Sequence, residues 1–274
     1  MIIDAHLHLW VKDPDNYPWD PIGGYIPEIE APISRYEKVM EENSIDGAVL
    51  VQPTPYGWDN TYLLDCKKSN PRKFKTVVLV DPTSDKAIQK LEQLVELGAD
   101  GLRINFHLKS CQEWENKHFF KLMESCVNLQ IPVCAQLTPD YLDFFKKLCI
   151  EFQTKFIIDH LGRPNKGANP QDDNFMKLLN LSEYSNIYIK LSGMNYYSSE
   201  SAPYRDTWEL LKTVKAHFGS NHCLWGSDYP FVEEHWSYKE NLDLMLNLLS
   251  FTESDLKFIL GKTAWTIWWC NDSE

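Results

Sequence analysis

Short apolar runs rich in β-branched residues recur along this chain, each followed by an amphipathic stretch. They fall at 2–9 (IIDAHLHL), 46–52 (DGAVLVQ), 76–81 (TVVLVD), 101–106 (GLRINF), 131–137 (IPVCAQL), 155–160 (KFIIDH), 186–192 (NIYIKLS) and 222–228 (HCLWGSD). Near-continuous apolar runs of this length read as strands covered on both faces. Strands of that kind belong to parallel sheets, which need a helical crossover between neighbours. The clearest helix is Asp85–Leu97, with Ile88, Leu91, Leu94 and Val95 on one face and Gly98 at its end. Ser34 followed by Glu37 predicts a capping box opening a helix over 34–43. Between the first strand and that helix, the Pro- and aromatic-rich residues 13–32 read as a long ordered loop.

Eight strand–helix units is the number that closes a barrel. A doubly wound sheet also alternates strand and helix, but no GxGxxG follows the first strand. The predicted fold is thus α/β, a parallel eight-stranded (β/α)8 TIM barrel with outer helices. Its 274 residues suit one such domain spanning 1–274, since single barrels run to about 250 residues, and no linker-like stretch divides it.

The formal net charge of −12 gives a surface that repels phosphate backbones and anionic lipids, so neither nucleic acid nor membrane is expected as a partner. A locally positive pocket for an anionic small molecule is compatible with that charge. Seven Cys, an odd number with no CxxC, read as reduced thiols of a cytoplasmic protein, without a disulfide framework or structural zinc site. The N-terminus shows no secretory-signal pattern, and no apolar run approaches the roughly 18 residues of a membrane span. Ten Trp supply rings enough to line a pocket as well as fill a core. A homo-oligomer is compatible with the sequence, which leaves the oligomeric state open.

Residues two apart on a strand share a face, so Asp4, His6 and His8 are expected together, with Ala5, Leu7 and Leu9 opposite. Two imidazoles about 7 Å apart along a strand can grip a metal ion or a substrate oxygen. In a barrel the C-terminal strand ends build the active site. Those ends carry His6 and His8, then Gln52, then Arg103, Asn105 and His107, then Gln136, then Asp159 and His160, then Lys190 and Ser192, then Ser227 and Asp228. Strand eight closes beside strand one, which brings Asp228 to His6 and His8, with His160 across the mouth. A carboxylate there can take a proton from water while imidazoles or a held metal polarise a carbonyl.

Arg103 and Arg163 can clamp a substrate carboxylate through their planar forks, although plain ion pairs would also explain them. Gln52, Trp58, Tyr197 and Trp236 are loop candidates for lining the pocket. Lys190 alternates with Ser192 and is within reach of the mouth. Asp4 is expected one layer below the site, bonded to a neighbour. Asp159 should point away from the barrel axis if His160 points in. His107 reads as a loop residue, and His118, His217 and His222 as structural.

Taken together, IIDAHLHLW, the YPW at 17–19, VLVQ followed by DNTYLL, VDP at 80–82, GLRI, IIDHLGRP, IKLSGM and GSDYPF span almost the whole chain. In this order they resemble the amidohydrolase superfamily, specifically the amidohydrolase-related branch of sugar-lactone and 2-pyrone-4,6-dicarboxylate lactonases. The resemblance implies a barrel hydrolase of a small lactone, with Asp228 as general base. It implies that His6, His8 and His160 polarise the carbonyl or bind metal. Arg163 matches a substrate-binding arginine three residues after the strand-six His, and Arg103 matches the strand-four Gly-x-Arg.

One departure narrows the expectation. Metal-rich members of the superfamily carry Lys or His at the end of strand five, where this chain has Gln136 and Thr138. A binuclear centre on a carbamylated Lys is therefore not expected. One divalent ion, zinc first, on His6, His8 and Asp228 with or without His160 is chemically reasonable, and so is a metal-free site. LGKTAW, at 260–265, also departs from the family's Gly-x-Asn-Ala and reads as helix packing. Two rival functions stand beside the lactonase. A metal-dependent decarboxylase of the same superfamily would want the missing strand-five His. A non-catalytic binder of small ligands would have no need of a general base.

Overall fold

The computed structural model describes residues 1–23, 25–108 and 111–270, apart from the side chains of Cys111 and Gln112. Its eight strands are β1 (Ile3–Leu7), β2 (Gly47–Val51), β3 (Phe74–Val78), β4 (Gly101–Asn105), β5 (Val133–Gln136), β6 (Phe156–Ile158), β7 (Ile187–Leu191) and β8 (Cys223–Trp225). They pair in sequence order, every pair parallel. The sheet closes between its ends. Leu7 bridges to Tyr229, the His8 amide donates to the Tyr229 carbonyl at 2.7 Å, and the Asp228 amide donates to the His6 carbonyl at 2.9 Å. This is the (β/α)8 barrel that eight strand–helix units predict.

The close seam needs Gly226, where a Cβ would lie 2.7 Å from the Cβ of His6. Helices coat the outside, and their apolar faces pack on the outward residues of the strands. Inside, Ile3, Ala5, Val49, Val51, Val77, Cys134, Ile157 and Leu224 form a second core. Ala264 and Ile267 of the C-terminal helix (Thr263–Trp268), with Trp268 and Trp269, cover that core at the end opposite the C-terminal strand ends.

Several elements start or stop where side chains intervene. The third strand begins two residues earlier than the sequence suggests and ends at Val78, because the Leu79 amide donates to Asn60 Oδ1 at 2.8 Å instead of a ladder carbonyl. The helix Ile33–Glu42 starts one residue before Ser34, behind Pro32, so Ser34 lies inside the first turn and the expected capping box does not form. Boxes form instead at Ser237–Glu240 and Thr252–Asp255. The helix Ala87–Glu96 buries Ala87, Leu91 and Leu94, close to the predicted stripe.

Cys66, Cys126, Cys134, Cys149 and Cys223 are buried free thiols and Cys270 an exposed one, while the Cys111 side chain is outside the described residues. No helix among the described residues is long and apolar enough to cross a membrane.

Candidate active site

Strand β1 carries a bulge that decides what faces the barrel axis. Asp4 pairs with Ala48 while Leu7 pairs with Leu50, so one strand advances three residues where its partner advances two. Asp4 thereby turns outward, between barrel wall and helices. It accepts from the hydroxyls of Tyr36, Tyr238 and Ser227 and from the Ser227 amide. Its Oδ1 also accepts the His6 amide at 3.2 Å, a donor the bulge takes out of the ladder. His6 and His8 do face the axis, but Asp4 does not share their face. That corrects the alternation read from the sequence.

A second break lies after β6. His160, Leu161 and Arg163 take positive φ of 52°, 53° and 45°, with Gly162 at 67°. This left-handed turn stops the period-two alternation, so Asp159 and His160 both point inward. Gly193 is needed here, because its own φ is 67° and a Cβ would come within 2.6 Å of His160 Nδ1.

Four polar side chains converge. His6 Nε2 and His8 Nε2 are 3.2 Å apart, and each is 3.6 Å from Asp228 Oδ1. His160 Nε2 is 3.8 Å from the same oxygen. All four residues are buried. Asp228 sits just after β8 with φ 60°, and its Oδ2 accepts the Tyr196 hydroxyl at 2.5 Å. Oδ1 has no hydrogen-bond partner and faces the imidazoles.

Burial pushes the Asp228 carboxyl from the usual 3.8 up to about 7, against the Tyr196 hydrogen bond and the charges of Arg163 and Arg103. Burial, reinforced by the charge of Lys190, pushes His6 down to about 4. Burial likewise holds His8 and His160 well below the ordinary histidine range, so the three rings are neutral near pH 7. The His8 Nδ1 donates to the Val51 carbonyl at 2.8 Å, which leaves its Nε2 as a lone pair. His160 Nδ1 meets the Ser192 hydroxyl at 2.9 Å.

Beneath this cluster, Lys190 Nζ lies 2.9 Å from both His6 Nδ1 and Asp159 Oδ1, all three groups fully buried. Burial acts to raise the Asp159 carboxyl, but the charge of Lys190 and the nearby His6 outweigh it and hold Asp159 well below the carboxylate range. Asp159 therefore points into the barrel, contrary to expectation, and Lys190 sits under the floor of the mouth.

The donor set fits a single metal ion. Two ligands about 2.1 Å from a tetrahedral ion sit about 3.4 Å apart. The spacings of 3.2, 3.6 and 3.6 Å among His6, His8 and Asp228 Oδ1 match that, and the orphaned Oδ1 is an available lone pair. Strand five adds nothing to the set, because Gln136 Oε1 is taken by Arg103 Nη2 at 2.5 Å.

Above the cluster opens a cavity of about 450 Å³. Arg103, His107, Gln136, Arg163, Tyr196 and Phe231 line it with His8, His160 and Asp228. Arg103 Nη1 donates to the Gln52 carbonyl at 2.8 Å, and its Nε has no partner. The Arg163 guanidinium lies 3.9 Å over the Tyr196 ring, and its Nε is also unpartnered. Among the described residues neither arginine forms a salt bridge. Burial and then Arg163 and Arg103 push His107 down to about 4, so it is a neutral polar wall group.

Four expected lining residues lie elsewhere. Gln52 is fully buried in the wall, its Nε2 donating to the Asp59 carbonyl at 2.6 Å. Trp58 faces a separate small void behind Arg103, with Leu79, Trp114 and Leu122. Tyr197 turns its hydroxyl to the Ser192 carbonyl at 3.2 Å and is buried in the core, whereas its neighbour Tyr196 reaches the cavity. Trp236 packs edge-on against Tyr204, away from the cavity. The sequence signal for Tyr196 was the adjacent pair at 196–197, which cannot say which ring turns inward. His118 lies on the outer helix Lys117–Asn128. His217 and His222 bond backbone carbonyls on the surface.

A sequence model described as amidohydrolase matches residues 3–268. This chain belongs to the amidohydrolase family. Among curated relatives of this amidohydrolase is a 4-sulfomuconolactone hydrolase from Hydrogenophaga intermedia. It is 26% identical over 230 residues, covering 83% of this chain and 74% of the relative. A 2-pyrone-4,6-dicarboxylate hydrolase from Comamonas testosteroni is 26% identical over 242 residues, 83% of this chain and 76% of that protein. Among solved structures, a probable 2-pyrone-4,6-dicarboxylic acid hydrolase from Acinetobacter baumannii with citric acid bound superposes with a TM-score of 0.85. It is 21% identical and covers 97% of this amidohydrolase and 98% of its own chain, a likeness of fold.

Proposed function

We propose that this amidohydrolase opens a small anionic lactone by adding water. The observation that carries the reading is Asp228. Its Oδ2 is pinned by Tyr196 while Oδ1 is free of hydrogen bonds at the floor of the cavity, and burial raises the carboxyl to about 7. A base held near neutral pH is matched to taking a proton from water. The Ser192 hydroxyl can donate to His160 Nδ1, and His160 Nε2–H would then donate to the carbonyl oxygen as negative charge develops there. Arg103 and Arg163, which form no salt bridge among the described residues, hold a carboxylate or sulfonate of the substrate and set its ring over the base. The aromatic faces of Tyr196 and Phe231 suit a flat ring. His6, His8 and Asp228 would hold a divalent ion; when bound, it supplies Lewis-acid polarisation and a more acidic water. Two curated relatives whose names denote hydrolases of anionic lactones support the class. The decarboxylase reading would want a strand-five His, and Gln136 stands there, its Oε1 accepting from Arg103 Nη2.

A panel of carboxylated and sulfonated lactones followed by acid release at constant pH tests the proposal. At least one should be opened by the wild type, and Asp228→Asn should lower kcat by about 10²–10⁴-fold. An Asp228→Asn variant that opens the same lactone at the wild-type rate rules out the role of the base.

A further inference from the structure

A directional chain of hydrogen bonds runs beneath the cavity. The Val51 carbonyl can only accept, so His8 Nδ1 carries a hydrogen and His8 Nε2 is bare. Read as a hydrogen bond, the 3.2 Å contact between His6 Nε2 and His8 Nε2 places the hydrogen on His6 Nε2. His6 Nδ1 is thereby an acceptor, and Lys190 Nζ, a donor only, occupies it at 2.9 Å. The contacts with Val51, His8 and Lys190 agree with one tautomer of His6. In that tautomer the lone pair of His8 Nε2 is taken up by the hydrogen bond from His6 Nε2.

A second partner waits at the same nitrogen. Asp159 Oδ1 is 3.2 Å from His6 Nδ1, and neither oxygen of this fully buried carboxylate makes an aligned hydrogen bond. Oδ1 is met by the Lys190 ammonium at 2.9 Å, so Oδ2 is the acceptor left over, and buried acceptors of that kind are rare. A hydrogen on His6 Nδ1 would satisfy Asp159 and leave His6 Nε2 bare beside His8 Nε2. Lys190 touches both groups, at 2.9 Å each, so it can keep its ion pair with Asp159 as it yields Nδ1.

We propose that Lys190 and Asp159 select between the two tautomers of His6, and so between a hydrogen-bonded histidine pair and a bidentate site for a divalent cation. One N–H bond breaks at Nε2 and one forms at Nδ1, protons exchanging with solvent, with no change in total charge. Lys190 and Asp159 are positioning residues, since they touch neither cavity nor substrate. The inference goes beyond the lactone reading and concerns the fitness of the floor for a metal.

Nitrogen-15 NMR of the full chain with labelled histidine reads the tautomer directly, His6 being assigned from a His6→Gln spectrum. Chelator-treated wild type should show His6 protonated at Nε2, and stoichiometric zinc should move the hydrogen to Nδ1. Asp159→Asn, checked for folding by thermal melt, should weaken zinc by about 10–100-fold in competition with a chromophoric chelator. His6 already protonated at Nδ1 before zinc overturns the proposal, as does zinc affinity in Asp159→Asn within twofold of wild type. Should that variant not fold, the wild-type titration decides alone. A wild type that takes up no zinc also overturns it, while leaving lactone opening to its own assay.

Discussion

At the scale of single residues, Asp228, the proposed base, is held in a setting that disfavours its charge. Its carboxyl is raised from 3.8 to about 7, mainly by burial, so the folded protein prefers the protonated form. The stability that goes with that preference is fully present below pH 3.8 and is lost as pH rises, completely once past about 7. A shift of about three units corresponds to at most about 4 kcal/mol. Asp228→Asn keeps the shape without the charge. In chelator-treated protein it should melt several degrees above wild type at pH 8.5, and close to wild type near pH 4. Equal melting temperatures at pH 8.5 would show that the carboxylate is not strained there. Loss of activity together with gain of stability is the expected signature of a catalytic group held in an unfavourable setting.

At the scale of elements, the site depends on places where regular structure breaks. The bulge in β1 turns His6 to the axis, and the left-handed turn after β6 turns His160 there too. Both rest on close approaches that only glycine permits. Gly193→Ala puts a Cβ into the His160 ring in addition to its φ of 67°. Gly98, with φ 105°, meets only Lys67 Nζ at 3.8 Å, so Gly98→Ala carries backbone strain without the clash. The two variants should lose comparable backbone stability, about 1 kcal/mol, while Gly193→Ala loses more in total. Steady-state kinetics separates them, since kcat should fall at least tenfold in Gly193→Ala and stay near wild type in Gly98→Ala.

At the scale of the molecule, the two ends of the barrel divide the labour. The cavity end collects His8, His107 and His160 with Asp228, Arg103 and Arg163, while the opposite end is covered by the C-terminal helix through Ala264, Ile267 and Trp268. Ile267→Ala should cost about 2–5 kcal/mol in urea denaturation, as a cavity left in a packed interior does. KM and kcat should not change at temperatures where the variant is folded, because the side chain is a barrel's length from the cavity. A fall in kcat without loss of stability would contradict that separation.

What the chain determined by itself was the count and the order. Eight buried runs with helical spacers leave a closed parallel barrel as the fold, and a barrel puts strand ends together. The nearness of Asp228 to His6 and His8 follows from closure alone, since strand eight must return to strand one. Only the tertiary structure decided which way side chains turn where the pleat is interrupted. Period-two alternation placed Asp4 beside His6 and turned Asp159 away, and both were reversed. The His6 amide needed Asp4 as its acceptor at the bulge, and the turn at His160–Arg163 packs against Gly193, just after the neighbouring strand β7. Tyr196 against Tyr197, and the outward fate of Gln52 and Trp58, were settled in the same way. Alternation is a local property of an unbroken strand, whereas bulges and left-handed turns are fixed by contacts between residues far apart in the chain.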